Sequence, residues 1–216
     1  MSKAQETSSE ISTSLSSRYC PVSFWGCFYF DEHEINPIPS RWKVRLITAV
    51  FFPMLIKIKG EFRYPMTVTM RLCQWFHRMS RTRGGGIRWL AGKISAWLRQ
   101  RNVTRYSFEH GAYPLIEPGI VFHHTGVCIT SNTVIESGVH VYRNVSFGQK
   151  NGHVPHIKKG AKIASHSIIL GATVIGERAI VAPGAVVVDL VVPDGKIAAG
   201  VPARIIGDVT DRNYGF

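Results

Sequence analysis

From Ile129 onward every sixth residue is apolar: Ile129, Ile135, Val141 and Phe147, then, after an interruption, Ile157, Ile163, Ile169, Ile175, Val181 and Val187. Four residues after most of these stands a small or β-branched residue: Thr133, Val139, Val145, Ala161, Ser167, Thr173, Ala179 and Ala185. A hexapeptide period is the mark of a parallel β-helix. Each hexapeptide forms one flat side of a triangular coil, its aliphatic residue pointing into the narrow interior and its small residue fitting near the turn. Ten residues separate Phe147 from Ile157 where six are expected, so Gly148 to His156 contains a loop pushed out of the coil. Loops that leave a rigid scaffold tend to carry function.

The first half has a helical period. Ile87, Leu90, Ala91, Ile94, Trp97 and Leu98 follow the i, i+3, i+4, i+7 pattern of an amphipathic helix, with Arg88, Lys93, Arg99 and Arg101 mostly on its other face. Met66, Met70, Cys73 and Phe76 line one side of an earlier helix, and Gly84-Gly85-Gly86 breaks the two apart. The expected organisation is a flexible tail over 1–18, a basic and mainly helical region over 19–105, a β-helix over 106–208 and a C-terminal tail over 209–216.

Charge sharpens this boundary. Between Arg41 and Arg105 there are fifteen Lys or Arg residues, and Glu61 is the only acid. The formal net charge of +12 favours an anionic partner. Nucleic acid is not expected, since no recognised module accompanies the charge. The 11-residue apolar run Leu46–Ile56, interrupted by Pro53, falls short of the ~20 residues that span a bilayer. Four cysteines (Cys20, Cys27, Cys73, Cys128) without a CxxC pair read as reduced thiols, and the polar N-terminus lacks the apolar stretch of a signal peptide. Both point to a cytoplasmic protein.

Six of the nine histidines lie in the repeat half, and their spacing matches no metal site, so no metal is expected. Six residues before Ile129 stands His123, in a slot that the lattice otherwise gives to aliphatics. An imidazole there would cost several kcal/mol without partners. Either the first coil is irregular or the side chain is placed for a purpose.

The stretch His123-His124-Thr125-Gly126-Val127-Cys128-Ile129 resembles the HATGIVI segment of serine O-acetyltransferases, and Ala198 to Gly207 resembles their AAGVPARIVG segment. The likeness covers about residues 106–208. Phe122-His123-His124 and Pro155-His156-Ile157 are closer still to exopolysaccharide O-acetyltransferases of the colanic-acid type. The resemblance implies a mainly β, left-handed parallel β-helix of about four coils behind a short helical region. It also implies acetyl-CoA as co-substrate and assembly into a homotrimer, with pairing of trimers as a further step. His123 falls on the family's catalytic base, which takes the proton of an acceptor hydroxyl as it attacks the thioester. Gly148 falls on the glycine whose N–H would hold the oxyanion. Ala164, Ser165, Ala182, Pro183 and Arg204 match positions that meet CoA, and Lys158 or Lys159 could serve its phosphates.

Several positions depart from the serine acetyltransferase pattern. Phe108 stands where an Asp orients the catalytic histidine, and Glu109 beside it is expected to take over that role. Phe122 replaces an acceptor-binding Asp, and His153 and Val154 replace an Arg-His pair. His124, His153, His156 and Phe122 are therefore expected to face an acceptor other than serine. The expected acceptor is a saccharide hydroxyl of a capsule or exopolysaccharide precursor, reached at the inner face of a membrane through the basic helical region. Serine O-acetylation for cysteine synthesis is the alternative, and a non-catalytic trimeric scaffold is a third reading.

Overall fold

The computed structural model describes residues 63–82, 84–111 and 114–214. The expected flexible tail, the Leu46–Ile56 run, Cys20, Cys27 and His33 lie outside these residues.

Two helices open the described chain, α1 (Arg63–Thr82) and α2 (Gly85–Tyr106). Met66, Met70 and Cys73 of α1 are buried as their spacing predicts. On α2 the buried stripe is Ala91, Ser95, Leu98, Asn102 and Tyr106. Ile87, Leu90 and Trp97, expected on the inward face, are instead 56%, 54% and 64% exposed. Small residues explain the rotation. Ser95 Oγ lies 3.2 Å from Cys73 Sγ, so α2 presents its narrow Ala91–Ser95 side to α1 and leaves its bulky residues outside. Burial pushes the Cys73 thiol pKa up, keeping it protonated. No helix among the described residues is long and apolar enough to cross a membrane.

Ser107 ends α2 in the left-handed region (φ 49°), and the β-helix starts two residues on. The first sheet contains β1 (Glu109–His110), β4 (Cys128–Ile129), β7 (Ser146–Gly148), β10 (Ile168–Leu170) and β13 (Val186–Val188). The second contains β2 (Leu115–Ile116), β5 (Val134–Ile135), β8 (His156–Ile157), β11 (Val174–Ile175) and β14 (Val191–Val192). The third contains β3 (Val121–Phe122), β6 (His140–Val141), β9 (Lys162–Ile163), β12 (Ile180–Val181), β15 (Lys196–Gly200) and β16 (Ala203–Asp208). Neighbours in each sheet are parallel except β15 and β16, which form an antiparallel hairpin. The chain therefore winds through three flat faces, with five levels where the sequence lattice indicated about four.

All of the six-spaced aliphatics from Ile129 to Val187 are buried, and so is each small residue named with them. The additional level precedes them. Its inward residues are His110, Ile116 and Phe122, six apart, and they pair with Ile129, Ile135 and Val141 of the next coil. One extra residue between Phe122 and Ile129 breaks the count. The extra residue sits in the turn through Gly126, whose φ is +82°. A Cβ on Gly126 would fall 2.0 Å from Asn144 Oδ1, so this turn requires glycine.

Helix α1 closes the first coil. Met66 and Met70 join Phe108, Ile116 and Ile120 in one apolar core, and the buried Arg71 guanidinium donates to the carbonyls of Ile116 and Glu117, both at 2.8 Å. At the other end, the segment read as a C-terminal tail includes α3 (Asp211–Tyr214). Tyr214 packs its ring between Lys162 and Arg178 and donates its hydroxyl to Gly160 O at 2.6 Å.

Candidate active site

His123 does not occupy the interior slot. Phe122 does, being 3% exposed and 5.2 Å from the Phe108 ring, while the histidine that sits in the lattice is His110, 1% exposed. Six residues before Ile129 stands His123 and not Phe122 because the Gly126 turn holds one residue more than the lattice. Burial pushes the His110 pKa down to about 4, while its Nδ1 lies 3.0 Å from Gly111 O. His123 follows β3, half-buried on the outside of the coil, with its N–H donating to Val141 O.

A column runs up this edge. The residues directly after β3, β6, β9 and β12 are His123, Tyr142, Ala164 and Ala182. Their N–H groups donate to Val141, Ile163, Val181 and Ala198 carbonyls at 2.8–3.0 Å. Side chains along the column shrink from imidazole and phenol to methyl. With ~4.8 Å between strands, His123 and Ala182 stand about 14 Å apart. Thr125, Arg143 and Ser165 form a second column beside it, bonded through Asn144 N–H to Thr125 O, His166 N–H to Arg143 O and Gly184 N–H to Ser165 O. Ala164, Ser165, Ala182 and the exposed Pro183 thus lie along the same edge as His123. Arg204 is exposed on β16 of the third sheet. His124 lies next to His123 in the turn and is half-buried.

Two residues that the sequence reading did not select contact His123. His140 Nδ1 lies 2.9 Å from His123 Nε2. Tyr142 stacks on the His123 ring with centroids 4.4 Å apart and planes 12° apart. Arg143, next along, is exposed. The repeat contained the signal: residues on either side of inward Val141 must point outward, one coil above His123.

Other expected residues fall elsewhere. Glu109 is exposed on β1, and its Oε2 lies 4.0 Å from Cys128 Sγ, so the partner given to His123 is His140 and not Glu109. Phe122 faces inward and meets no acceptor. His156 sits on β8 in the second sheet, its Nε2 2.7 Å from Glu136 Oε1, which removes it from the His123 edge. Lys158 follows β8 on that same sheet and pairs with Asp194 at 3.6 Å. The expected loop is a tight hairpin. Lys150 and His153 exchange backbone hydrogen bonds around Asn151 (φ 52°) and Gly152 (φ 82°), both in the left-handed region that such two-residue turns need. Lys150 Nζ lies 2.5 Å from Asp189 Oδ2 and ties the hairpin to the coil two levels on. Gly148 ends β7 paired with Leu170, and a Cβ there would fall 2.5 Å from Leu170 Cδ2, a packing reason for glycine. Among the described residues no group of three or more His, Cys, Asp or Glu side chains gathers as a metal site would require.

No family model matches the chain. It is 32% identical over 139 residues to the serine acetyltransferase of Escherichia coli strain K12, covering 61% of this chain and 50% of that protein. It is 30% identical over 148 residues to the serine acetyltransferase of Buchnera aphidicola, covering 64% of this chain and 53% of that one. The chain thus spans about half the length of the curated relatives it matches. A solved serine acetyltransferase in complex with CoA superposes with a TM-score of 0.59 at 20% identity, covering 93% of this chain and 73% of that one. The expectation of a saccharide acceptor is overturned by these relatives, which are named for serine. Its main support also fails physically, because Phe122 is an interior residue whose identity reports nothing about the acceptor's charge. By its repeat, its coil and these likenesses, the chain is a hexapeptide-repeat, left-handed β-helix protein similar to serine acetyltransferases.

Proposed function

We propose that this protein transfers an acetyl group from acetyl-CoA to the hydroxyl of serine, with His123 as the general base. The observation that carries the proposal is His123 itself: an outward imidazole, clamped by two ring contacts, at the foot of a column that narrows to alanines. The relatives' names supply the acceptor. Acetyl-CoA, when bound, supplies an activated acyl carbon and a thiolate leaving group. Ala164 and Ala182 leave room along the edge for an extended chain, and Ser165 and Pro183 border it. Arg204 provides a cation on β16 of the same sheet. His123 takes the serine hydroxyl proton as that oxygen attacks, and returns a proton to the departing sulfur. His124 and Arg143, beside the base, are the candidates for the serine carboxylate. Gly148 stands on a different sheet of the stack, so its N–H would serve this site from a neighbouring copy in a homotrimer. Mass-spectrometric detection of O-acetylserine made from acetyl-CoA and L-serine tests the proposal. A chain that folds and binds CoA but makes no such product supports the scaffold reading instead.

The helical region carries a second reading, contact with an anionic membrane surface. Residues 63–108 contain ten Lys or Arg and no Asp or Glu. Trp89 and Trp97, 66% and 64% exposed, share the outer face of α2 with Ile87 and Leu90. A cleft of about 590 Å³ beside them is lined by His77, Arg81, Arg88 and Lys93. Exposed tryptophan among clustered cations suits the headgroup region of an anionic bilayer. A second copy of the same face would bring like charge against it.

A further inference from the structure

We propose that Tyr142 is a positioning residue for His123, its phenol face fixing the plane of the imidazole that takes the substrate proton. This rests on the reading of His123 as the base. In the strand register Val121 pairs with His140 and Phe122 with Val141, which places His123 opposite Tyr142 one residue on. Ladder bonds hold both backbones there: His123 N–H donates to Val141 O at 2.9 Å and Tyr142 N–H to Ile163 O at 3.0 Å. In-register residues of parallel strands point the same way, about 4.8 Å apart. The two rings therefore lie face to face, with centroids 4.4 Å and planes 12° apart.

The stack acts on the torsion that the backbone leaves soft. An imidazole turns about its Cβ–Cγ bond in a broad well, so its ring nitrogens can sweep through a wide arc. General-base catalysis needs a nitrogen held within hydrogen-bond reach of the hydroxyl. With a flat ring at this distance, a steeply tilted imidazole would drive its edge into the phenol. A face contact is indifferent to which ring nitrogen carries the proton, so it serves both before and after proton transfer. His140 comes from the same strand as Tyr142, and its ring centroid lies 5.1 Å from that of His123 with planes 20° apart, an inclination compatible with the same imidazole plane. Burial raises the Tyr142 pKa, so the phenol stays neutral and adds no charge beside the base.

The test combines ¹H–¹³C spectra of the His123 ring, assigned by their loss in His123→Asn, with acetyl-CoA turnover on L-serine. In the wild type the ring protons should be shifted upfield by the Tyr142 ring current and give one sharp set. Tyr142→Leu keeps an apolar side chain and loses the flat face. It should move those protons downfield and lower kcat per folded molecule about tenfold to a hundredfold, with KM for serine little changed. Tyr142→Phe keeps the face, and should keep the upfield shift and most of kcat. Ring protons that do not move in Tyr142→Leu, an unchanged kcat in that variant, or a loss in Tyr142→Phe equal to it would each overturn the proposal. Tyr142→Thr, suited to a strand, takes the place of Tyr142→Leu if that variant does not fold. Wild-type protein inactive on serine would sink the proposed function, while the ring spectra would still decide whether Tyr142 sets the imidazole plane.

Discussion

Glu136 and His156 meet across adjacent coils of the second sheet, with His156 Nε2 2.7 Å from Glu136 Oε1, and the other carboxylate oxygen accepts the Lys159 N–H. The hydrogen bond from His156, with lesser help from the nearby charges and the Lys159 N–H, holds the Glu136 carboxyl below its usual range. A carboxylate with a lowered pKa stabilises the fold above its unfolded pKa, and that contribution is lost as pH falls through the lowered value. Glu136→Gln should therefore cost about 1 kcal/mol near neutral pH and progressively less below about pH 4, as thermal melts across pH would show. His156→Gln should lower Tm similarly and leave KM for serine unchanged. A raised KM would return His156 to the acceptor site.

His110 titrates with the opposite chemistry but the same direction in pH. Its imidazole is buried in the first coil with a pKa of about 4, so it stays neutral in the folded chain. The unfolded chain protonates it near 6.5, so its contribution is intact above that value and is lost as pH falls toward 4. The full loss amounts to roughly 3 kcal/mol. His110→Ile, which restores the aliphatic lattice, should flatten the decline of Tm over that window without lowering Tm at pH 7. A decline as steep as that of the wild type would show that His110 is not the titrating group.

Gly126→Ala tests the turn that carries His123. The residue has φ +82°, and an added methyl group would collide with the Asn144 side chain. The substitution should cost about 2 kcal/mol or more and lower kcat beyond what the loss of folded protein explains. Activity per folded molecule equal to the wild type would show that the turn does not set the imidazole.

The later coils were legible in the sequence because an interior only one side chain wide admits few residues. Ile129 to Val187 and the small residues between them had to repeat. The first coil was hidden by two local events, a histidine in its first interior slot and an extra residue before Val127. Those two events moved His123 into a slot that Phe122 occupies. Phe122 reads as an altered acceptor site from its place before His123 in the family resemblance, which says nothing of the way its side chain faces. His140 and Tyr142 were unmarked because a contact between successive coils depends on register, which a one-residue insertion changes. On α2 the periodicity was right and the facing was not, since the Cys73–Ser95 contact selects the narrow side.

The outer face of α2 can be tested with vesicles. The protein should co-sediment with vesicles containing anionic lipid and not with purely zwitterionic ones, and about 0.5 M salt should weaken the binding. Trp89→Ala with Trp97→Ala should reduce it further at unchanged charge. Equal binding to both vesicle types would remove the electrostatic reading.

The most direct test of the central claim is free-thiol release from acetyl-CoA with and without L-serine, for the wild type and for His123→Ala. The account predicts serine-dependent release by the wild type and a loss of about 10² to 10⁴ in rate for the variant, with its fold intact. Release that does not depend on serine, or a variant as fast as the wild type, would contradict it.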